Sequence, residues 1–142
     1  MSDGTLRLLI GGVLLLHGLG HGGAFGALLW TRTGKEAGGW LPARSWLFPS
    51  LSPAAARMVA SIFWIASLLG FVAAALGFWG IIVPESAWRL LAVAFSVVSV
   101  TGIVLLVGNW PPFNTLAALV VNLAVLVTQL WMHWPPQGMF AE

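Results

Sequence analysis

Four long apolar stretches constrain the fold of this 142-residue chain more than any other feature of its sequence. A helix needs about 20 apolar residues to cross a hydrocarbon core of ~30 Å. In lipid, every backbone polar group needs a partner within the protein, so such stretches cross the membrane as helices. The sequence therefore predicts an all-α fold, an integral membrane antiparallel four-helix bundle forming a single transmembrane domain over residues 1–142. The spans are placed at about residues 6–30, 54–83, 86–107 and 113–134.

The composition agrees with a membrane protein and excludes several function classes. Hydrophobic residues make up 59% of the chain, charged residues only 7%, and the mean hydropathy is +0.95, values far from those of soluble domains. Six basic and four acidic side chains give a net charge of +2, too sparse for a nucleic-acid-binding face. Cysteine is absent, which excludes disulfides and thiolate metal sites. The sequence also has no phosphate-binding loop and no nucleophile elbow.

The one long polar connection, residues 31–52, is predicted to lie on the membrane surface. It carries Trp40, Trp46 and Phe48, side chains of the kind that sit at headgroup level. Four basic residues lie at this end of the spans and two at the other, namely Arg32, Lys35, Arg44 and Arg57 against Arg7 and Arg89. Because Lys and Arg accumulate on the cytoplasmic side, this long interfacial loop is predicted to face the cytoplasm.

The first apolar stretch has an alternative interpretation as a secretory signal peptide. Arg7 precedes an apolar run, and the residues from Ala24 to Gly26 loosely resemble a cleavage site for small residues. The apolar stretch continues to Trp30, however, and two histidines interrupt it. A transmembrane helix is therefore favoured.

Those two histidines, His17 and His21, are the sharpest functional feature of the sequence. Residues four apart lie on the same face of a helix, about 6 Å apart along its axis. An ionisable side chain inside a membrane is costly, so its presence there indicates a function by default. The pair is therefore taken as the centre of the predicted site.

Depth within the bilayer indicates which other residues can join the pair. With ~1.5 Å of rise per residue, four polar residues on the four spans fall within a turn or so of the midplane. These residues are His17, Ser67, Ser96 and Asn122. His21 lies nearer the long loop, at a depth similar to that of Trp64, whose ring could stack on a ligand. These six residues form the predicted binding site.

The fourth span also carries a stripe of mostly polar residues at helical spacing. Its members are Thr115, Ala118, Asn122, Gln129 and His133. The stripe is predicted to face the bundle interior, because lipid would leave its amides without partners. His133 is predicted to be a solvated histidine at the far interface, since tryptophans and prolines surround it.

Neither a haem nor a metal ion is expected within one chain. A haem with two histidine ligands needs imidazoles at matching depth on different helices, and His133 lies too far from His17 along the membrane normal. His17 and His21 could supply two metal ligands, but a zinc site needs at least one more nitrogen, sulfur or carboxylate. No Asp, Glu or Cys lies within any span, although a partner subunit could complete a site.

Two interpretations of the histidine pair stay open. In the structural one, each neutral ring bonds to a backbone carbonyl, to Asn122 or to a serine and joins helices, a contribution of around 1 kcal/mol in membranes. In the functional one, the rings bind the polar end of an otherwise apolar molecule. A quinone fits this description and is the candidate cofactor. Its carbonyls accept from an imidazole N–H, and histidine exchanges protons near neutral pH.

Gly18, Gly22 and Gly26 repeat at a spacing of four and form a ridge of small residues that permits close helix packing. The ridge could pack within the chain, on a membrane protein partner or on a second copy. An alternative function is therefore a structural or interaction subunit of a larger membrane complex, with no ligand chemistry of its own. A small lipid or solute carrier is a further alternative, although the lack of charged residues in the middle of the spans argues against ion coupling.

Several short motifs carry a family resemblance. They are His17-Gly18-Leu19-Gly20-His21 and Gly22-Gly23-Ala24-Phe25-Gly26 in the first span, Ser96 and Ser99 in a third span followed by Trp110, and Asn114 and Asn122 in the fourth. Together they resemble the DoxX-like family of small four-helix bacterial membrane proteins. The resemblance covers nearly the whole chain and implies a multi-pass bundle in the bacterial cytoplasmic (inner) membrane.

The DoxX-like family includes a subunit of a thiosulfate:quinone oxidoreductase. The resemblance therefore implies an accessory or quinone-contacting component of a membrane redox system. Whether the chain is itself an enzyme stays open, because it has no cysteine and no carboxylate within its spans.

Overall fold

Four long helices dominate the structure. The computed structural model describes residues 2–33 and 38–136, with the backbone alone of Thr33, so Lys35 and Glu36 of the predicted loop lie outside the described residues. The helices are α1 (Asp3–Trp30), α2 (Pro53–Phe78), α3 (Trp88–Leu105) and α4 (Pro112–Leu126), with 3₁₀ turns at Thr31–Thr33 and Glu85–Ala87 and a π-helical turn at Val127–Trp131. No strand occurs in the described ranges. The all-α class is therefore confirmed.

Each of the four helical segments is long and apolar enough to cross a membrane, the third together with the 3₁₀ turn before it and the fourth with the π-helical turn after it. Two of them begin at a serine cap. The Oγ of Ser52 accepts from the backbone N–H of Ala55 at 3.2 Å, and the Oγ of Ser2 accepts from Thr5 at 3.3 Å. Such caps satisfy N–H groups that have no partner inside the helix. The four apolar helices indicate a multi-pass membrane protein.

The second helix is shorter than the apolar stretch that contains it. The sequence places its end near Val83, whereas the helix ends at Phe78. Gly80 follows with a φ of 70°, and the N–H of Ile81 donates to the carbonyl of Leu76 at 2.8 Å, the bonding pattern of a Schellman motif. Hydropathy continues through the turn, so the end of this helix depends on the left-handed glycine rather than on polarity.

Close approach between α1 and α2 occurs at glycines. A Cβ on Gly18 would lie 3.1 Å from the Cβ of Phe71, and one on Gly11 would overlap the indole of Trp79. That indole donates from Nε1 to the carbonyl of Arg7 at 3.2 Å. Residues later in α1 thus meet residues earlier in α2.

The contact between α2 and α3 follows the same pattern. A Cβ on Gly70 would overlap the ring of Phe95, and one on Gly102 would lie 2.8 Å from the Cβ of Phe63. Both aromatic rings therefore pack directly on the backbone of the neighbouring helix.

The long loop is anchored to the end of α3. The Oγ of Ser45 donates to the carbonyl of Leu105 at 2.8 Å, and the indole N–H of Trp46 donates to the carbonyl of Val104 at 2.6 Å. The last carbonyls of a helix have no intrahelical partner, so the loop supplies hydrogen-bond donors for two of them. Next to Trp40, the N–H of Leu41 donates to the carbonyl of Asn109 at 3.0 Å, and the ring of Trp40 lies 5.4 Å from that of Trp110.

Candidate functional site

A chain of side-chain hydrogen bonds joins three helices in the middle of the molecule. His17 Nε2 lies 3.0 Å from Oδ1 of Asn122, and the amide Nδ2 of Asn122 donates to Oγ of Ser99 at 2.7 Å. Ser99 Oγ in turn lies 2.9 Å from His21 Nε2. Asn122 and Ser99 are fully buried, and His21 is 1% exposed. The chain starts and ends on α1 and passes through α4 and α3.

With the Asn122 amide oriented so that Oδ1 faces His17 and Nδ2 faces Ser99, the donors and acceptors in this chain have one consistent assignment. Because Asn122 Oδ1 can only accept, Nε2 of His17 must carry a proton. Ser99 accepts from Asn122, and its own hydroxyl hydrogen is satisfied only by donation to Nε2 of His21. A neutral His21 then carries its proton on Nδ1. Within the described residues, this buried Nδ1 has no hydrogen-bond partner.

Aromatic rings enclose His21. Its ring is stacked with Trp64 at 5.7 Å between centroids and with Phe71 at 6.1 Å, and Trp110 lies tilted against it at 5.5 Å. The ring of His17 meets the His21 ring edge to face at 4.9 Å. These contacts hold the imidazole of His21 in one orientation.

Both histidines line a cavity between α1 and α4 with a volume of about 340 Å³. Its wall on the side of the long loop is formed by Trp40, Trp110 and Phe113. A volume of this size can accommodate a single ring system with its substituents. Apart from the histidines and Asn114 the wall is mainly apolar, and the Nδ1 of His21 has no partner among the described residues, an arrangement that suits a mostly apolar molecule with a hydrogen-bond acceptor.

A second cavity of about 280 Å³ continues the first along the α1–α4 boundary. Val13 and Val121 line both cavities, so these two side chains mark the junction. The second cavity is walled mainly by aliphatic side chains and reaches Gln129 and Trp134 at the far end of α4. The two cavities form a crevice, polar near its middle and apolar over one half.

The structure brings four of the six predicted site residues together. His17 and His21 line the cavity, Asn122 bonds to His17, and Trp64 stacks on His21 from behind. Trp64 therefore stacks on a histidine of the site, and its indole does not line the cavity.

Ser67 and Ser96 are fully buried but lie outside this network. Their hydroxyl oxygens have no hydrogen-bond partner among the described residues, and neither side chain lines the described cavities. Ser99, absent from the predicted set, takes the connecting role instead. The sequence position of Ser99 could have indicated this role, because Ser99 lies one turn beyond Ser96 at a depth between those of His17 and His21.

The polar stripe of α4 is buried over most of its length. Asn122 is 0% and Gln129 is 7% exposed, whereas His133 is exposed and bonds locally to the carbonyl of Trp131 at 3.1 Å. The π-helical turn that follows α4 ends at Trp131, and His133 lies beyond it with a φ of 51°, so the stripe does not extend to His133. His133 therefore lies apart from the site.

The described residues contain no group of three or more His, Cys, Asp or Glu side chains that could hold a metal ion. The Nε2 atoms of His17 and His21 already bond to Asn122 and Ser99. The pair is thus arranged for hydrogen bonding.

The small-residue ridge of α1 (Gly18, Gly22 and Gly26) is exposed at one end only. Gly18 is covered by Phe71 of α2, and a Cβ on Gly22 would lie 3.4 Å from Cδ2 of Leu68. A Cβ on Gly26 would have nothing within 4 Å in the described structure. Most of the ridge therefore serves packing within the chain.

Replacing Asn122 by leucine, which has the same branching and the same number of side-chain heavy atoms, is expected to lower the free energy of unfolding by about 1–2 kcal/mol. The change leaves the N–H of His17 and the Oγ of Ser99 without their partner. Reversible unfolding in mixed micelles, followed by circular dichroism, measures the effect. Asn114→Leu is the matched control, because Asn114 is exposed on the same helix. Equal losses in the two variants would show that the network contributes nothing to stability.

In chemical terms the site offers a buried, fixed imidazole N–H, a second imidazole beside it and an apolar crevice that leads away from both. It can bind a neutral acceptor group and can hold a proton next to it. A scan against protein-family models, a search of curated proteins and a search of solved structures each found no match to this chain.

Proposed function

We propose that this chain is a DoxX-like antiparallel four-helix bundle of the bacterial cytoplasmic membrane that binds a quinone between α1 and α4. Its role would be that of an accessory or quinone-contacting component of a membrane redox system. One observation carries the proposal. The Nδ1 of His21, which has no partner in the described structure, belongs to a residue that lines one cavity of the crevice, and the adjoining cavity is walled mainly by aliphatic side chains.

The order of helix contacts supports the antiparallel arrangement. Along α1, Gly11 meets Trp79 and Gly18 meets Phe71, and His21 stacks on Trp64. Positions on α2 thus decrease as positions on α1 increase. The excess of basic residues beside the long loop supports a cytoplasmic location for that loop.

The residues of the site fit the chemistry of a quinone. A ring carbonyl can accept from Nδ1–H of His21, while Trp110 and Trp40 supply flat apolar surface beside the ring. The tail of such a molecule would pass between Val13 and Val121 into the aliphatic half of the crevice. A bound quinone supplies electron transfer, whereas the protein supplies orientation and a proton donor.

Asn122 and Ser99 act as positioning residues in this scheme. Each holds one imidazole and fixes which nitrogen carries the proton. A neutral carboxamide donates and accepts but has no proton that it readily transfers. Protons therefore reach a ligand from a histidine directly, and the chain of hydrogen bonds orients the two rings.

The junction of the two cavities provides the sharpest test. Val121→Phe is expected to weaken the binding of a decyl-tailed benzoquinone about tenfold, because the larger side chain blocks the passage for the tail. Binding of the same benzoquinone without a tail should change by less than about twofold. Quenching of tryptophan fluorescence by the two compounds, titrated against the purified protein in detergent, measures both affinities.

Val97→Phe is the matched control, since Val97 is exposed on α3 and lines neither cavity. If the two variants bind both compounds alike, no tail lies in the crevice and the proposal fails. The interaction-subunit alternative makes a different prediction. In that case Gly26→Leu, at the open part of the ridge, disrupts a membrane complex while the crevice variants leave it intact.

A further inference from the structure

A separate cleft lies at the long-loop end of the molecule, between the end of α1 and the start of α2. Its volume is about 510 Å³. It is lined by Leu28, Leu29, Arg32, Arg57, Met58 and Ser61. These residues come from the end of α1 and the start of α2, so the cleft lies where these helices leave the apolar part of the bundle. It shares no lining residue with the crevice between α1 and α4.

Two positive charges in this cleft have no counter-charge in the described structure. Arg32 is exposed and Arg57 half-buried, and neither guanidinium makes an ion pair or a hydrogen bond with another described residue. The described acidic residues are Asp3, in the first turn of α1, and Glu85, in the 3₁₀ turn before α3. Both belong to the opposite end of the helices, and Glu36 lies outside the described residues.

The remaining walls of the cleft are apolar and face outward. Leu29 is 50% and Met58 62% exposed, although both lie within or beside segments that can cross a membrane. Apolar side chains in such positions contact acyl chains, whereas arginines at the helix ends reach headgroup level. The cleft thus has charged groups at headgroup depth directly above surface suited to hydrocarbon.

We propose that Arg32 and Arg57 together bind the phosphate of an anionic phospholipid whose acyl chain packs against Leu29 and Met58. Guanidinium groups bind phosphate oxygens through paired N–H donors. The apolar wall favours a lipid over free phosphate, since inorganic phosphate gains nothing from a contact with hydrocarbon. The site is independent of the quinone proposal, because it lies at the junction of α1 and α2 and shares no lining residue with the crevice.

Native mass spectrometry of the full-length protein in detergent, titrated with dioleoylphosphatidylglycerol, tests the site. The variant Arg32→Gln/Arg57→Gln is expected to bind this lipid about 25-fold more weakly, about fivefold for each arginine, which corresponds to about 1 kcal/mol per basic residue. Arg44→Gln is the matched control, as Arg44 is an exposed arginine at the same end of the molecule and outside the cleft. Its affinity should change by less than about twofold.

Two further arms identify the source of the phosphate. Dioleoylphosphatidylcholine should bind the parent protein weakly and without dependence on the two arginines. Excess inorganic phosphate should not displace the anionic lipid. Displacement by inorganic phosphate would assign the cleft to a soluble anion and overturn the lipid proposal, as would equal lipid affinity in the double variant and Arg44→Gln. Thermal unfolding of each variant in the same detergent verifies that all of them are folded.

Discussion

Replacement of both His17 and His21 by alanine is expected to weaken the binding of a decyl-tailed benzoquinone about tenfold or more. The double variant removes the unpartnered N–H of His21 and the ring that packs against it at 4.9 Å. A buried hydrogen bond to a ligand contributes roughly 1–3 kcal/mol when its loss leaves a polar group unsatisfied, and 1.4 kcal/mol corresponds to a factor of about ten. Fluorescence quenching reports this binding, because Trp110 lies 5.5 Å from the His21 ring.

The same chain offers a matched control for this experiment. His133 is exposed and bonds only to a nearby carbonyl, so His133→Ala should leave the affinity within about twofold of the parent protein. Circular dichroism shows whether each variant retains its helices. A folded double variant with unchanged affinity would place the ligand elsewhere and leave the histidines with a structural role alone, as hydrogen-bonding links between helices.

Substitution of Gly70 by alanine is expected to destabilise the protein by about 1–3 kcal/mol. The added Cβ would overlap the ring of Phe95, which packs directly on α2. Since Gly70 lies inside a well-packed helix pair, either the ring or the helix must move. Thermal or detergent-induced unfolding, followed by circular dichroism, measures the loss.

The sign of the effect distinguishes packing from helix propensity. Alanine is a better helix former than glycine by up to about 1 kcal/mol, so a glycine with free space around it should gain stability. Gly23 is exposed on α1, and a Cβ there would meet nothing within 4 Å. Gly23→Ala is therefore expected to be neutral or stabilising. A stabilising Gly70→Ala would show that α2 and α3 do not pack at this point.

Part of the candidate site could be predicted from the sequence. His17 and Asn122 lie near the midpoints of the first and fourth spans, and they bond to each other at 3.0 Å. Depth along a helix axis follows from residue number, because the rise per residue is constant. Rotation about the axis is harder to obtain when a helix is apolar on every side. Depth favours Ser96, which lies nearest the midplane of its span, and only the packed helices show that Ser99, one turn later, contacts Asn122.

The end of α2 and the end of the polar stripe after α4 could not be predicted from hydropathy either. Apolar residues continue beyond Phe78, and the helix stops because Gly80 adopts a left-handed conformation. Gln129 lies inside the π-helical turn at Val127–Trp131, whereas His133 lies beyond its end with a φ of 51°. Both features arise from local backbone geometry that hydropathy does not register.

The residues alone were sufficient to predict four membrane-spanning helices, because hydrophobicity is a local property that each segment carries independently of its neighbours. The number of histidines at bilayer depth and the lack of further metal ligands in the spans could also be read directly. The separation of α1 and α4 by a crevice, the role of Ser99 and the unpartnered N–H of His21 depend on how the helices pack. Packing in a bilayer follows side-chain shape and small-residue contacts rather than hydrophobicity, so these features became apparent only with the helices in place.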